Sequence, residues 1–203
     1  EGGDAEMNPK FIAFYLPQFH AIRENDLWWG KGLTEWVNTK KAKPLYKGHY
    51  QPKEPLDDNY YSLLDAKSQE WQADLARKYG IDGFCYYHYW FDGKLLLEKP
   101  MENMLKNPKV NIPFCISWAN ETWSRTWSGK GKEILIQQKY GDEKDWIKHI
   151  EYLLPFFKDK RYITINNKPM LLLYTASRIE HCEEMIRVWN EYLKTEGSDG
   201  IYI

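Results

Sequence analysis

The sequence is poor in features that mark several common protein classes. It has three cysteines among 203 residues, an odd number that indicates neither a disulfide framework nor a zinc site. Its net charge is −1, so no electrostatic argument favours a nucleic-acid partner. No apolar run approaches the roughly 18 residues of a membrane span, and no signal-peptide core is present. We therefore expect a protein without a membrane span, a nucleic-acid partner or a bound metal.

The first residues give an expectation about chain organisation. Residues 1–6 are polar and lack an initiator methionine, so we interpret them as a tag or linker. The natural start is then Met7, and residues 7–203 form the N-terminal part of one catalytic domain. Because this domain begins directly with its first strand, we expect a cytoplasmic location.

Aromatic side chains are unusually abundant. Ten Trp, fifteen Tyr and eight Phe make up 16% of the chain, although its mean hydropathy is only −0.70. Rings mixed with polar groups suit a cleft that holds sugars by their flat apolar faces and hydrogen-bonding edges. An aromatic-rich core is the alternative, and it accounts for part of the count.

Short apolar runs alternate with amphipathic segments, which is typical of a parallel α/β sheet. We expect the first four units and the fifth strand of a (β/α)8 TIM-type barrel, since a whole barrel needs ~250 residues. An open doubly wound sheet is the alternative, although neither Gly-x-Gly-x-x-Gly nor a P-loop occurs. An irregular segment, 21–60, is expected to fold over the cleft. Predicted strands are 10–16, 83–87, 114–116, 169–174 and 200–203, and predicted helices are 68–79, 95–106, 142–158 and 180–195.

Polar residues follow the predicted strands where such sheets hold their ligands, at the carboxyl ends. Glu121 is the leading candidate for a catalytic carboxylate, and a purely structural salt bridge to Arg125 is the alternative. His88 is the second catalytic candidate, against the alternative of a core histidine. Glu121 would hydrogen-bond and partly deprotonate a sugar hydroxyl.

Ten further residues at strand ends, or in the segment after the first strand, are predicted to bind substrate. Tryptophans among them would stack on sugar rings, and the asparagine would orient hydroxyl groups. No metal site is predicted, because Asp57 and Asp58 are adjacent and not spaced as Asp-x-Asp. The predicted residues are Tyr15, Gln18, His20, Trp29, Trp36, Tyr89, Trp90, Trp118, Asn120 and Trp123.

Several long stretches occur in an order that resembles one known family. They are FYLPQFH at 14–20, NDLWWGKGLTEW at 25–36, KPLYKGHYQP at 43–52, GFCYYHYWF at 83–91, SWANETW at 117–123 and ILIQQKY at 134–140. Together they resemble the WbsX-type glycosyltransferase family of bacterial surface-polysaccharide clusters. That family is similar to the endo-α-mannosidase-type glycoside hydrolases, family 99. The resemblance implies a (β/α)8 barrel that acts on glycosidic bonds of a polysaccharide or its lipid-linked precursor.

The resemblance also implies roles for particular residues. By similarity to the hydrolases, Tyr15, His88 and Glu121 would line the subsites around the reactive sugar. Those hydrolases are retaining enzymes, thought to use the substrate's own 2-hydroxyl as nucleophile, and their Glu-x-x-Glu pair lies on a later strand end. Glu180 and Glu183 have this spacing but open a predicted helix, so we interpret them as a solvated first turn. The expected catalytic pair is absent from these residues.

Three functions remain open from the sequence. The first is glycosyl transfer in surface-polysaccharide synthesis, with a sugar nucleotide as co-substrate. The second is a retaining endo-acting α-glycoside hydrolase, which the absence of an Asp-x-Asp motif and of a nucleotide-binding loop favours. The third is a non-catalytic sugar-binding module. Each of them predicts an oligosaccharide or polysaccharide partner, and none predicts a resident cofactor.

Overall fold

The computed structural model describes residues 9–127 and 130–203, without the side chains of residues 126, 127 and 130–132. The predicted tag at 1–6, the predicted start at Met7 and the ring of Trp127 lie outside the described residues. The strands are β1 (Ile12–Tyr15), β2 (Gly83–Phe91), β3 (Lys94–Leu96), β4 (Phe114–Trp118), β5 (Trp123–Trp127), β6 (Lys130–Ile136), β7 (Thr164–Ile165), β8 (Lys168–Pro169) and β9 (Leu171–Leu173). The α-helices are α1 (Arg23–Trp29), α2 (Glu35–Lys40), α3 (Ala66–Lys78), α4 (Lys99–Lys106), α5 (Glu143–Phe157) and α6 (Cys182–Thr195).

A parallel sheet with the strand order β1–β2–β4–β9 forms the centre of the molecule. Tyr202 adds a parallel bridge to Met170, at the position predicted for a fifth strand. Each of these strands neighbours its predecessor, as in consecutive β/α units, which confirms the predicted α/β class with a parallel sheet. The register pairs Phe14 with Cys85, Cys85 with Cys115, and Ser117 with Leu172.

The described helices α3 to α6 cover one face of this sheet. Tyr15 donates to Gln72 of α3, and the ring of His88 contacts His149 of α5. Trp189 of α6 packs on Trp118 with ring centroids 6.3 Å apart. An open doubly wound sheet would carry helices on both faces, so this one-sided arrangement favours the predicted barrel.

Alternation along the strands gives the sheet two chemically different faces, because successive side chains point to opposite sides. We call the helix-covered side the closed face and the other side the open face. The closed face presents Tyr15, Phe84, Tyr86, His88, Trp90, Phe114, Ile116 and Trp118, which all lie in or beside the main core. The open face presents Phe14, Cys85, Tyr87, Tyr89, Cys115, Ser117 and Leu172.

Several predicted elements differ from the structure. The strand predicted at 169–174 is limited to β9, the residues 200–203 form one isolated bridge, and the segment 21–60, predicted to be irregular, contains α1 and α2. Strand β2 continues past the predicted end at residue 87 to Phe91, since residues 89–91 pair antiparallel with β3. The predicted helix 95–106 therefore starts only at Lys99, with Pro100 in its first turn, where a missing N–H costs no hydrogen bond. By contrast, α5 and α6 begin within two residues of their predicted starts, and Glu183 lies in the first turn of α6 as predicted.

The segment predicted to fold over the cleft forms α1, α2 and a short 3-10 turn. It packs beside the β5–β6 hairpin, where the rings of Trp28 and Trp123 lie 5.9 Å apart. The carbonyl of Trp28 also accepts a hydrogen bond from Arg125 of the hairpin. Within residues 9–127 and 130–203, no helix has both the length and the apolar character required to cross a membrane.

Candidate active site

An open cleft of about 330 Å³ lies at the carboxyl ends of β1, β2, β4 and β9. This is where parallel α/β proteins place their functional loops, because the buried strands themselves cannot expose polar side chains. The cleft belongs to the open face of the sheet. Its side chains include Gln18, Tyr87, Tyr89, Glu121, Trp123 and Tyr174.

Glu121 is the carboxylate of this cleft, and its side chain is 38% exposed. Its Oε1 accepts a hydrogen bond from Thr175 Oγ1 at 3.3 Å and lies 3.2 Å from Arg178 Nη1. Its Oε2 has no hydrogen-bond partner in the described part of the chain. The predicted alternative of a salt bridge to Arg125 is wrong, because Arg125 pairs with Glu133 at 2.7 Å. One carboxylate oxygen is thus anchored, and the other remains available to a ligand.

Asn120 fixes the loop that carries Glu121. Its Oδ1 accepts from the backbone N–H of Thr175 at 2.9 Å, and its Nδ2 donates to the Thr175 carbonyl at 2.9 Å. The hydroxyl of Tyr140 donates to the Asn120 carbonyl at 2.7 Å. Asn120 is fully buried, so the structure gives it a positioning role and not the substrate contact predicted for it. The loops after β4 and β9 are joined by this amide.

The aromatic wall of the cleft comes from β2, β5 and the end of β9. Tyr89 meets Trp123 edge-on at 5.2 Å, and Gln18 donates a long 3.4 Å hydrogen bond to the Tyr89 hydroxyl. Burial raises the pKa of Tyr89 to about 12, so its phenol stays protonated at neutral pH. Tyr174 lies edge-on to Tyr87 at 6.4 Å. The structure therefore brings Gln18, Tyr89 and Trp123 together with Glu121 in one cleft.

Tyr87, Tyr174, Thr175 and Arg178 are site residues that the sequence analysis missed. Two of them had a usable signal. Tyr87 is two positions from Tyr89, so both must share a face of the strand, and Tyr174 ends the apolar run 169–174. Thr175 and Arg178 lie in and beside a 3-10 turn with no local pattern that marks their contact with Glu121.

His88 lies on the closed face, away from this cleft. Its Nε2 is 2.9 Å from Nε2 of His149, and its ring stacks on Tyr152 at 5.5 Å. Burial lowers the pKa of His88 to about 3. Burial, together with electrostatic coupling to the neighbouring His88, lowers the pKa of His149 well below its usual value. The structure separates His88 from Glu121, contrary to the expectation that both line the reactive sugar's subsites. The reason is that successive side chains of β2 point to opposite faces of the sheet, so His88 points away from the cleft that Tyr87 and Tyr89 line.

Tyr15, Trp90 and Trp118 share the closed face with His88. The Tyr15 hydroxyl donates to Gln72 Oε1 at 2.5 Å, and burial raises the pKa of this phenol. Trp118 Nε1 donates to the Trp90 carbonyl at 3.2 Å, and the Trp90 ring stacks on His149 at 4.5 Å. These three predicted substrate-binding residues are therefore packed in the core, and the structure does not bring them to the cleft.

The remaining predicted residues lie in the segment after β1. His20 is 3% exposed, and burial lowers its pKa to about 4. Neither ring nitrogen of His20 has a hydrogen-bond partner among the residues described. Trp36 donates to the Tyr61 carbonyl at 2.8 Å and packs on Phe19, so it belongs to an aromatic cluster outside the cleft. Trp29 is half exposed and lines a second pocket next to the cleft.

Comparison with known proteins identifies the family. The family model described as Glycosyltransferase WbsX matches residues 11–203. The chain belongs to the WbsX family. An uncharacterised protein, WxcX, from two strains of Xanthomonas campestris pv. campestris (B100 and ATCC 33913) is 38% identical over 192 residues. The match covers 95% of this chain, and the chain spans 28% of the length of these curated relatives.

Solved structures similar to this WbsX-family chain include two of the GH99 endo-α-mannosidase from Bacteroides thetaiotaomicron. The structure in complex with Bis-Tris propane gives a TM-score of 0.49 at 12% identity, covering 85% of this chain and 44% of that one. The second gives a TM-score of 0.46 at 15% identity, covering 84% and 46%. The family assignment itself rests on the sequence match over residues 11–203.

Proposed function

We propose that this chain forms the sugar-binding part of an active site for glycosyl transfer in the synthesis of a bacterial cell-surface polysaccharide. The observation that carries the proposal is the open cleft in which Glu121 lies among aromatic side chains at the carboxyl ends of the strands. Membership of a family described as glycosyltransferases supports the reaction class.

The cleft suits the recognition of a sugar ring. Tyr87, Tyr174 and Trp123 offer flat apolar surfaces, which favour stacking against the C–H face of a pyranose. Among the described residues, the Gln18 amide makes one hydrogen bond, a long one, so it can exchange that bond for a sugar hydroxyl. A ligand held in this way is oriented before any chemistry occurs.

Glu121 acts on the bound sugar through its Oε2. Because Oε1 is held by Thr175 and Arg178, the carboxylate keeps one direction and offers one oxygen to a hydroxyl group. Accepting that hydrogen bond increases the nucleophilicity of the hydroxyl oxygen, and the negative charge stabilises a nearby oxocarbenium-like transition state. Glu121 therefore serves as a base or as an electrostatic stabiliser.

Glycosidic chemistry usually requires a second carboxyl group. Glu121 is the one carboxylate among the described residues that line this cleft. The curated relatives are longer than this chain, which spans 28% of their length. We therefore propose that the second carboxylate is contributed by another part of the full-length protein, and that a sugar nucleotide serves as the glycosyl donor.

A product assay tests the proposed reaction. The full-length protein is incubated with α-linked oligosaccharides, with and without sugar nucleotides, and anomeric proton NMR identifies the products. Chain extension that requires the nucleotide supports the transferase. New reducing ends without any nucleotide would instead identify a retaining endo-acting α-glycoside hydrolase, the alternative that shares this cleft.

A matched pair of variants tests the role of Glu121. Glu121→Gln removes the charge but keeps the shape, and we expect turnover to fall by roughly 10²–10⁴-fold, the usual contribution of a general acid or base. Glu184→Gln, an exposed glutamate in the first turn of α6, is the control and should retain full turnover. Unchanged turnover in Glu121→Gln, with glycan binding intact, would show a sugar-binding module whose catalytic groups lie elsewhere.

A further inference from the structure

A second pocket of about 260 Å³ lies beside the Glu121 cleft, between the α1–α2 segment and the β5–β6 hairpin. We call it the side pocket. It is lined by Asn25, Trp29, Glu35 and Asn38, and it shares Gln18 and Trp123 with the cleft. The two cavities therefore stand on either side of one wall, formed by those two shared side chains.

Three polar side chains in the side pocket have unused hydrogen-bonding capacity. The side chains of Asn25, Glu35 and Asn38 make no hydrogen bond or ion pair with any other residue that the structure describes. Asn25 is only 7% exposed, and it lines the side pocket. Buried polar groups are normally satisfied by a partner, and a group left free in a concave site is available to a ligand.

The chemistry of these groups selects a polyhydroxylated ligand. A carboxylate accepts hydrogen bonds from hydroxyl groups, and the two amides both donate and accept. The ring of Trp29 is 50% exposed and adds a flat apolar surface for a sugar face. Arg125, centred 5.9 Å from the Trp29 ring, pairs with Glu133, and the charge of Glu35 disfavours an anionic ligand such as a phosphate.

We propose that the side pocket binds a second sugar unit of the glycan whose neighbouring unit occupies the Glu121 cleft. Glu35, Asn38 and Asn25 hydrogen-bond its hydroxyls, and Trp29 stacks on its ring. The glycosidic bond between the two sugar units passes over the wall formed by Gln18 and Trp123. Glu35 lines the side pocket together with Gln18 and Trp123, so it lies in the same cavity as this wall.

This inference rests on the proposed function, because it assumes that the cleft itself binds a sugar. The test is a binding experiment on the full-length protein. A glycan array of α-linked bacterial oligosaccharides identifies a bound sequence, and calorimetry then compares that oligosaccharide with its constituent monosaccharides. The variants are Glu35→Gln and Trp29→Ala, with Glu121→Gln as the cleft variant.

Matched controls come from elsewhere on the surface. Trp71 of α3 is 44% exposed, close to the 50% of Trp29, so Trp71→Ala controls for the loss of an exposed indole. Glu184→Gln controls for the loss of one carboxylate. We expect both variants to weaken oligosaccharide binding roughly tenfold or more. Glu35→Gln removes the charge from a hydrogen bond to the sugar, and Trp29→Ala removes a stacking surface. Monosaccharide binding in the cleft should be unchanged.

The outcomes separate the two proposals. If the oligosaccharide binds both pocket variants as tightly as the wild type while Glu121→Gln weakens it, the side pocket is not a sugar site and the proposed function stands. If the wild type binds no glycan on the array, both proposals fail. Glu35→Gln is isosteric, so it tests sugar binding in the side pocket even if Trp29→Ala alters the fold.

Discussion

On the closed face of the sheet His88 and Trp118 are each 2% exposed, whereas on the open face Phe14 and Tyr174 are 58% and 59% exposed. The buried side chains of the closed face find their partners in α3, α5 and α6. On the open face Glu121 keeps one oxygen without a partner among the described residues. The same strands therefore supply a packed core on one side and, on the other, the cleft that contains Glu121.

The two faces show that a strand-end position alone does not define a functional residue. His88 and Tyr89 are consecutive residues of β2, yet the first is locked against His149 and the second lines the cleft. The direction of the side chain separates them, since neighbouring residues of a strand point to opposite sides. Substitutions on the closed face should therefore change stability, and substitutions on the open face should change ligand binding and turnover.

The largest effect is expected for Trp189→Ala. Trp189 is fully buried against the closed face and donates to the Trp146 carbonyl at 2.9 Å. Removing it should lower the free energy of unfolding by ~3–5 kcal/mol, as for other large-to-small core changes. Urea denaturation measures the change, and Trp29→Ala is the control, with an expected loss of less than ~1 kcal/mol. Equal losses in the two variants would contradict the assignment of Trp189 to the core beneath the closed face.

The pH dependence of stability is the next largest effect. His88 and His149 stay neutral in the folded protein because burial lowers their pKa values, whereas an unfolded histidine titrates near ~6.5. The unfolded state then binds more protons, so the free energy of unfolding falls as pH decreases from about 6.5 towards the folded-state pKa of His88, about 3.

His149→Gln tests this origin. The variant has one histidine fewer that binds a proton in the unfolded state but not in the folded state. The slope of the free energy of unfolding against pH should therefore decrease by roughly 1 kcal/mol per pH unit. Urea midpoints at pH 7, 6 and 5 measure the slope. His181→Gln, which changes an exposed histidine before α6, is the control and should leave the slope as in the wild type. A slope that is unaltered by His149→Gln would assign the acid sensitivity to other groups.

Asn120→Ala should have an intermediate effect. It leaves the N–H and carbonyl of Thr175 without their side-chain partners, which costs ~1–3 kcal/mol for buried polar groups. Because the loop of Glu121 loses its anchor, we also expect kcat to fall more than KM rises. Asn111→Ala, at an exposed asparagine before β4, is the control and should change neither quantity.

The smallest effect on stability is expected for Arg178→Gln. Arg178 and Glu121 are 60% and 38% exposed, and exposed ion pairs contribute less than ~1 kcal/mol. Turnover should nevertheless fall, because Glu121 loses one of the two groups that orient it. Arg187→Gln, at a 57% exposed arginine of α6, should leave turnover unchanged. Equal turnover in the two variants would contradict the role of Arg178 in orienting Glu121.

The sequence predicted the elements well where local signals are strong. Asp142 caps α5 in a full capping box, and Gly80, with a φ of 83°, follows α3 at the C′ position. Side chains that satisfy helix ends and glycines that adopt left-handed conformations act within a few residues, so a linear pattern records them. Short apolar runs are an equally local signal, and they predict the strands and therefore the end of the sheet that holds the cleft.

The sequence did not predict which side chains face the cleft. Residues 83–91 are apolar or aromatic on both sides of β2, so alternation is present but its direction is not marked. The contacts of Glu121 are also long-range, since Thr175 is 54 positions away. Arg125 is nearer in sequence, but the β5–β6 hairpin pairs it with Glu133.

The bond between Asn120 and Thr175 also sets an order of assembly. The two residues are 55 positions apart, so the loop of Glu121 is synthesised long before the backbone that anchors it. Contacts between distant segments form only after the entropy of closing the intervening chain has been overcome. The carboxylate therefore reaches its final orientation only when β9 has joined β4. A chain whose fourth parallel strand has not docked therefore has no organised cleft.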